Sequence, residues 1–388
     1  MKPAVVCVGD MGINGLATVR SLGRRGIAAH VVALESSRQI ASASRYCASF
    51  TPARDLASLH QALERFEPGG VLYIDNDPML KALGPHASAL AERFALVDPV
   101  ADAERLTDKT SQMRLARQAG IAVPRSWLPQ TWDELAALKT PKRLIAKPLN
   151  LLPARADFKA LVAGDAAKLV TQLRGRIVSP AEVVVQEFVE GGDDQIYAGL
   201  CYRPQNRAGC FVLSVRKLRQ TDPGAGVMAV GQVVDVPQVR EMTRRLAKAA
   251  NARGAFCTEF KLDARDGRYY FIEWNARPAY FQSIGWRAGF DLAWLAYCDH
   301  ADPAQLPSSS SFRGEHYWIN LRADLFNLSK MPRRELAAWR PYVGRKEWAV
   351  FALDDLAPWR ASVRQLANWV FRRRSFGRAL GRLAAPPA

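Results

Sequence analysis

The first hundred residues carry a repeating rhythm of buried strand and amphipathic helix. Ala4–Val8 is a continuous apolar run, the pattern of a short strand covered on both faces, and it passes into Gly9-Asp10-Met11-Gly12-Ile13-Asn14-Gly15. Helical spacing follows over Leu16–Leu22, with Gly23 and Gly26 near its end, and Ala28–Leu34 is a second apolar run. Val71–Ile74 is a third, ending in Asp75-Asn76-Asp77-Pro78, and Ala95–Val97 a fourth before Asp98-Pro99. Strands alternating with helices predict an α/β unit over residues 1–105, with a parallel sheet under helices. The glycines suit a tight turn that exposes helix N–H groups, but their spacing is not GxGxxG, so no dinucleotide is predicted.

Beyond residue 106 the pattern becomes mixed. Thr107 or Asp108 caps a helix that Gly120 ends, and Ile121-Ala122-Val123-Pro124 leads outward from it. Arg143–Lys147 is a short strand stopped by Pro148, Asp165–Leu173 a helix, and Val183–Phe188 a β-branched strand. Residues 196–202 and 210–218 read as paired strands, 238–253 as a helix and 256–275 as a hairpin. The expected layout is therefore 1–105, two α+β units at 106–182 and 183–302, and a C-terminal extension at 303–388.

Charge adds one feature to this picture. The 388 residues carry a net charge of +17, and no acidic residue follows Leu356, where Arg360, Arg364, Arg372, Arg373, Arg374, Arg378 and Arg382 accumulate. Interleaved with them, Val363, Leu366, Trp369, Val370, Phe376, Leu380 and Leu383 make a basic amphipathic tail. Such a tail suits an anionic membrane surface or an acidic partner, or else docks on the body with a solvated Arg face. No recognition motif accompanies the charge, so nucleic acid is not an expected partner. Six cysteines without a CxxC pair read as reduced thiols. No apolar run approaches a membrane span, and a cytoplasmic location, with the inner membrane face as the tail's contact, is expected.

The hairpin holds the densest chemistry. A three-residue loop Arg265-Asp266-Gly267, with Gly267 left-handed, would pair Ala264 with Arg268 and set Glu259 opposite Glu273, with Asn275 on the same face. Two carboxylates and an amide facing one another call for a cation, and hard oxygen donors favour Mg²⁺. Arg277 lies just beyond and could meet developing negative charge. On spacing alone the same residues also make a solvated hairpin face. Lys109 opens a helix and Lys147 ends a strand, where a lone Lys commonly snorkels to the surface. Gln186-Glu187-Phe188-Val189 passes through an acidic glycine turn to Asp193 and Asp194, and Arg216, Lys217, Arg219 and Gln220 form a further polar cluster.

In this order the pieces resemble the ATP-grasp superfamily, and specifically its carboxylate–amine ligases of the D-aspartate ligase and carbamoyl-phosphate-synthase type, over roughly residues 1–300. Asp108-Lys109 with Gly120–Pro124 resembles the entry to the central subdomain, and Ala146-Lys147-Pro148 the second phosphate lysine. Gln186, Glu187, Phe188 and Val189 resemble the adenine-binding hinge, with Asp193 or Asp194 in the ribose position. Glu259 with Glu273-Trp274-Asn275-Ala276-Arg277 resembles the metal-binding and transition-state set. The resemblance implies a Rossmann-like pre-ATP-grasp domain followed by a two-subdomain grasp around ATP and Mg²⁺, with Mn²⁺ as an alternative. It implies activation of a carboxylate as an acyl-phosphate for an amine, with Arg277 and Lys217 stabilising the transferred group. The family's glycine-rich phosphate cover is missing: Leu149–Lys168 has one Gly and offers Arg155 and Lys159 instead. A nucleotide-binding regulator without turnover, and a membrane or polyanion binder acting through its tail, are the other classes that fit. Asp75, Asn76, Asp77 and Arg287 are candidates for the acceptor pocket, and a homodimer is the expected assembly.

Overall fold

The computed structural model describes residues 4–35, 40–149, 158–205, 207–221, 226–308, 315–330 and 336–367. Arg155 and the tail from 368 onward lie outside the described residues. Among those described, no helix is long and apolar enough to cross a membrane.

Strands β1 (Val5–Gly9), β2 (Ala29–Leu34), β3 (Cys47–Ala53), β4 (Gly70–Ile74) and β5 (Phe94–Leu96) pair in parallel in the order β3-β2-β1-β4-β5. The two central strands, β1 and β4, are buried along their whole length, as their unbroken apolar runs require. Strand order reverses between them, and the chain is turned there through the Gly9 loop into the helix Ile13–Gly23. That loop is already filled. Asp10 N–H donates to the buried Asp75 carboxylate at 2.9 Å, and a Cβ on Gly9, whose φ is +141°, would collide with the same carboxylate. Asn14 holds the arrangement by donating to the carbonyls of Asp75 (2.7 Å) and Pro278 (2.9 Å).

A four-stranded antiparallel sheet follows: β6 (Ser126–Trp127), β7 (Leu144–Pro148), β8 (Leu161–Ala163) and β9 (Val183–Glu187), ordered β6-β9-β7-β8. Helices Trp132–Ala136 and Ala166–Leu173, capped by Thr131 and Asp165, cover it, and Leu135, Leu144, Leu169, Leu173, Val183 and Val185 form its core. The expected break after residue 182 is displaced, because β9 is an inner strand of this small sheet. An apolar run buried on both faces does not declare which sheet it joins.

The large sheet contains β10 (Ile196–Arg203), β11 (Phe211–Gln220), β12 (Met228–Val233), β13 (Gly254–Leu262), β14 (Tyr269–Asn275), β15 (Tyr317–Ile319) and β16 (Lys346–Trp348). Their order is β14-β13-β10-β11-β12-β15-β16. The segment read as an extension from 303 therefore supplies two strands of this sheet. It also reaches the first sheet: Asp355 takes the Arg20 guanidinium (2.9 Å), the Ser44 hydroxyl (2.6 Å) and the Arg45 N–H (3.0 Å). Arg20 and Asp355 are both buried, which a charged pair tolerates only when fully hydrogen-bonded.

In the β13–β14 hairpin Glu259 faces Glu273, as expected, but by a different route. The loop has four residues, Ala264–Gly267, because Asp263 N–H bonds Arg268 C=O. The strands then run one position out of the expected register through Phe260↔Phe271, and a bulge at Ile272 restores it. Gly267 does take the left-handed conformation, with φ +66°.

Candidate functional site

A cleft, open at its mouth, lies between the small and large sheets. Lys109, Lys147, Gln186, Glu187, Phe188, Val189, Lys217, Glu259 and Glu273 all line it. Lys109 is the first residue of the helix Lys109–Gln118, whose start is fixed by Asp108 accepting from Ser111 N–H at 2.6 Å. Its ammonium donates to Pro148 C=O at 2.6 Å, so helix start and β7 end converge. Lys147, on β7, is pushed down to about 8 by burial, with Lys109 and Lys159 adding to the shift and Glu273 opposing it. Burial lowers Lys109 as well.

The hinge residues stand at the end of β9. Gln186 donates to Ser126 Oγ at 3.0 Å, and Glu187 takes the Thr140 hydroxyl (2.8 Å) and Lys142 (3.2 Å). Two cations approach the Phe188 ring, Arg143 at 4.4 Å and Lys261 at 4.3 Å from its centroid. Sequence reasoning passed over Lys261, which lines the cleft and is lowered by burial. It stands two positions after Glu259 on β13, so the period-two rule pointed at it.

Cations from the protein itself answer the two facing carboxylates. Lys217 Nζ donates to Glu259 Oε2 at 2.7 Å, and both groups are buried. Burial works against the charge of Glu273, but Lys159, Lys109, Lys147 and Lys217 outweigh it and hold the carboxyl below its ordinary range. Lys217 is aimed by two register shifts in β11 between Lys217 and Gln220. Across this irregular stretch Gln220 donates to Asp193 at 2.8 Å, and Arg219 pairs with the buried Asp324 at 2.7 Å.

Asp193, Asp194, Asn275 and Arg277 do not line the cleft itself. Asp194 pairs with Arg216 at 2.8 Å. Arg277 binds Asp77 through two nitrogens at 2.8 and 3.1 Å and approaches Asn275 Oδ1 at 3.4 Å. Burial opposes the charge of Arg277, and Asp77 more than offsets it, so its pKa is raised. The acceptor candidates mostly have internal partners: Asn76 caps the helix Asp77–Leu83, Asp75 fills the Gly9 loop, and Arg287 pairs with Glu347 at 2.9 Å.

A divalent ion suits the donor set: carboxylates on facing strand positions, one of them firmly ionised, and an amide oxygen two residues along. Among the described residues no three His, Cys, Asp or Glu side chains form a closed metal cage.

The three sheets, in this order and with this cleft, define the ATP-grasp fold. Solved structures of the same fold include biotin carboxylase from Campylobacter jejuni in complex with β,γ-ATP, with TM-score 0.64 and 16% identity over 81% of this chain and 74% of that one. N5-carboxyaminoimidazole synthetase from Staphylococcus aureus matches with TM-score 0.62 and 15% identity over 86% and 88%. The biotin carboxylase domain dimer of Hydrogenobacter thermophilus 2-oxoglutarate carboxylase, with MgADP, ADP and bicarbonate, matches with TM-score 0.61 and 13% identity over 82% and 74%. No family model matches the sequence, and no curated protein matches it significantly.

Proposed function

We propose that the chain is an ATP- and Mg²⁺-dependent ligase that activates a carboxylate as an acyl-phosphate and couples it to an amine. The observation that carries this reading is one cleft in which four lysines surround two facing carboxylates. A cation surplus of this kind suits a polyphosphate, and the pair Glu259 and Glu273 with Asn275 suits the metal that accompanies it. The similar solved structures with bound ATP or MgADP support the same choice of ligand.

In this reading Lys109 and Lys147 hold the phosphates, with Lys159 covering them in place of a glycine-rich loop. Gln186, Glu187, Phe188 and Val189 frame the base, and Asp193 and Asp194 lie toward the ribose. Mg²⁺, or Mn²⁺, would supply charge neutralisation between the phosphates when bound to Glu259, Glu273 and Asn275. Lys217 and Arg277 would stabilise negative charge on the transferred phosphoryl group and on the tetrahedral adduct. Residues 1–105 close the acceptor side through Asp77 and Arg277. The carboxylate and amine are small molecules, and a cytoplasmic homodimer is the working assembly.

The test is Mg²⁺-dependent ADP release across a panel of amino acids and small carboxylates, with Glu273→Gln as control. Release that requires one carboxylate with one amine and is lost in the variant is the expected result. Nucleotide binding without any release above the variant would point to a regulatory nucleotide binder, and absence of ATP binding would overturn the reading.

A further inference from the structure

β14 is the outermost strand of the large sheet, and along its free edge Phe271 N–H is held by the backbone C=O of Ala122 at 2.8 Å. At Trp274 a side chain takes that place. Gln112 is buried, 4% exposed, and its amide reads both backbone groups of this one residue. Its Nε2 donates to Trp274 C=O at 2.8 Å, and its Oε1 accepts from Trp274 N–H at 3.2 Å. The same Nε2 donates to Leu106 C=O at 2.7 Å, which fixes the amide's orientation. Trp274 stands between Glu273 and Asn275, and Gln112 lies one helical turn after Lys109 on the same face.

We propose that Gln112 is a positioning residue for metal binding. It locks the backbone between two metal-binding side chains to the helix that carries a phosphate lysine. The inference rests on the reading of Glu273 and Asn275 given above. A strand edge left unclamped would let both side chains drift from a shared ion, and orientation by outer partners is worth about 10–100-fold in metal affinity.

The experiment measures ADP affinity by calorimetry with and without Mg²⁺, together with backbone amide exchange over residues 269–275. Gln112→Met, of similar volume but without hydrogen-bonding groups, is expected to lose about 10–100-fold of the Mg²⁺-dependent gain in affinity. Its Mg²⁺-free affinity should be unchanged, and the Trp274 amide should exchange faster. Gln112→Glu keeps an acceptor for Trp274 N–H but sets an oxygen without a proton against the carbonyls of Trp274 and Leu106, so it should also lose the gain. A folded Gln112→Met with the full gain overturns the inference, as does a parallel fall in both affinities. If Gln112→Met does not fold, Gln112→Glu decides: a reduced gain supports the role and a full one overturns it. An unmutated protein without any Mg²⁺-dependent gain overturns the metal-site reading, and this inference with it.

Discussion

Two places in this molecule are built to receive an anion, and only one of them is left open. The Gly9 turn stands at the start of the helix Ile13–Gly23, where backbone N–H groups gather, and sits where the strand order reverses. The protein fills it with Asp75, whose carboxyl burial and Asp10 push up to about 7 despite the opposing charge of Arg277. In the cleft the imbalance has the opposite sign: Lys109, Lys147, Lys159 and Lys217 face Glu259 and Glu273, and burial brings Lys147 down to about 8. A glycine turn at a helix start is therefore no evidence for a phosphate by itself. What decides is whether a carboxylate from elsewhere in the chain has already taken the position.

Substitutions in the two places should separate cleanly. Lys147→Met is expected to reduce ADP-forming turnover by about 10²–10³-fold while leaving the melting temperature unchanged or higher, since a buried charge is removed. Wild-type turnover in that variant would mean the cleft is not the phosphate site. Gly9→Ala should act on stability alone. The φ of +141° and the collision with Asp75 should cost about 1–3 kcal/mol or more in chemical denaturation, with ADP affinity of the folded fraction unaltered. Lost affinity with retained stability would reverse the comparison.

A pH titration gives a smaller effect. Lys147 is charged below about 8 and neutral above it, and phosphate prefers the charged form. ADP affinity should fall as pH rises through 8, by at most about tenfold per pH unit, and Lys147→Arg should flatten the profile. Gly12→Ala should do least. A Cβ there meets no atom within 4 Å, so stability should change by no more than about 1 kcal/mol and ADP affinity not at all. Weakened ADP binding in this variant would show that the filled turn still takes part.

Much of the cleft was legible because its residues sit at element ends with local signals: Asp108 before Lys109, Pro148 after Lys147, Gly267 in the hairpin turn. The facing of Glu259 and Glu273 was legible only through two offsetting errors, a loop one residue longer than expected and a bulge that restores the register. The strands Tyr317–Ile319 and Lys346–Trp348 were not legible, since three residues carry no period. Nor were the partners of Arg277 and Arg219, because Asp77 and Asp324 lie 200 and 105 positions away and nothing local marks them. Gln112 escaped for a related reason: it recognises backbone, which leaves no complementary side chain to find.

The clasp between Arg20 and Asp355 also sets a timetable. The two residues are separated by 335 positions, so a ribosome adding about 5–20 residues per second needs roughly 20–70 s between them. Throughout that interval the first sheet can pair its strands but cannot bury Arg20 at a profit, since an unmatched buried charge costs about 3–5 kcal/mol. The amino-terminal unit is thus begun first and completed among the last, and a nascent chain halted before Asp355 would carry an unfinished beginning.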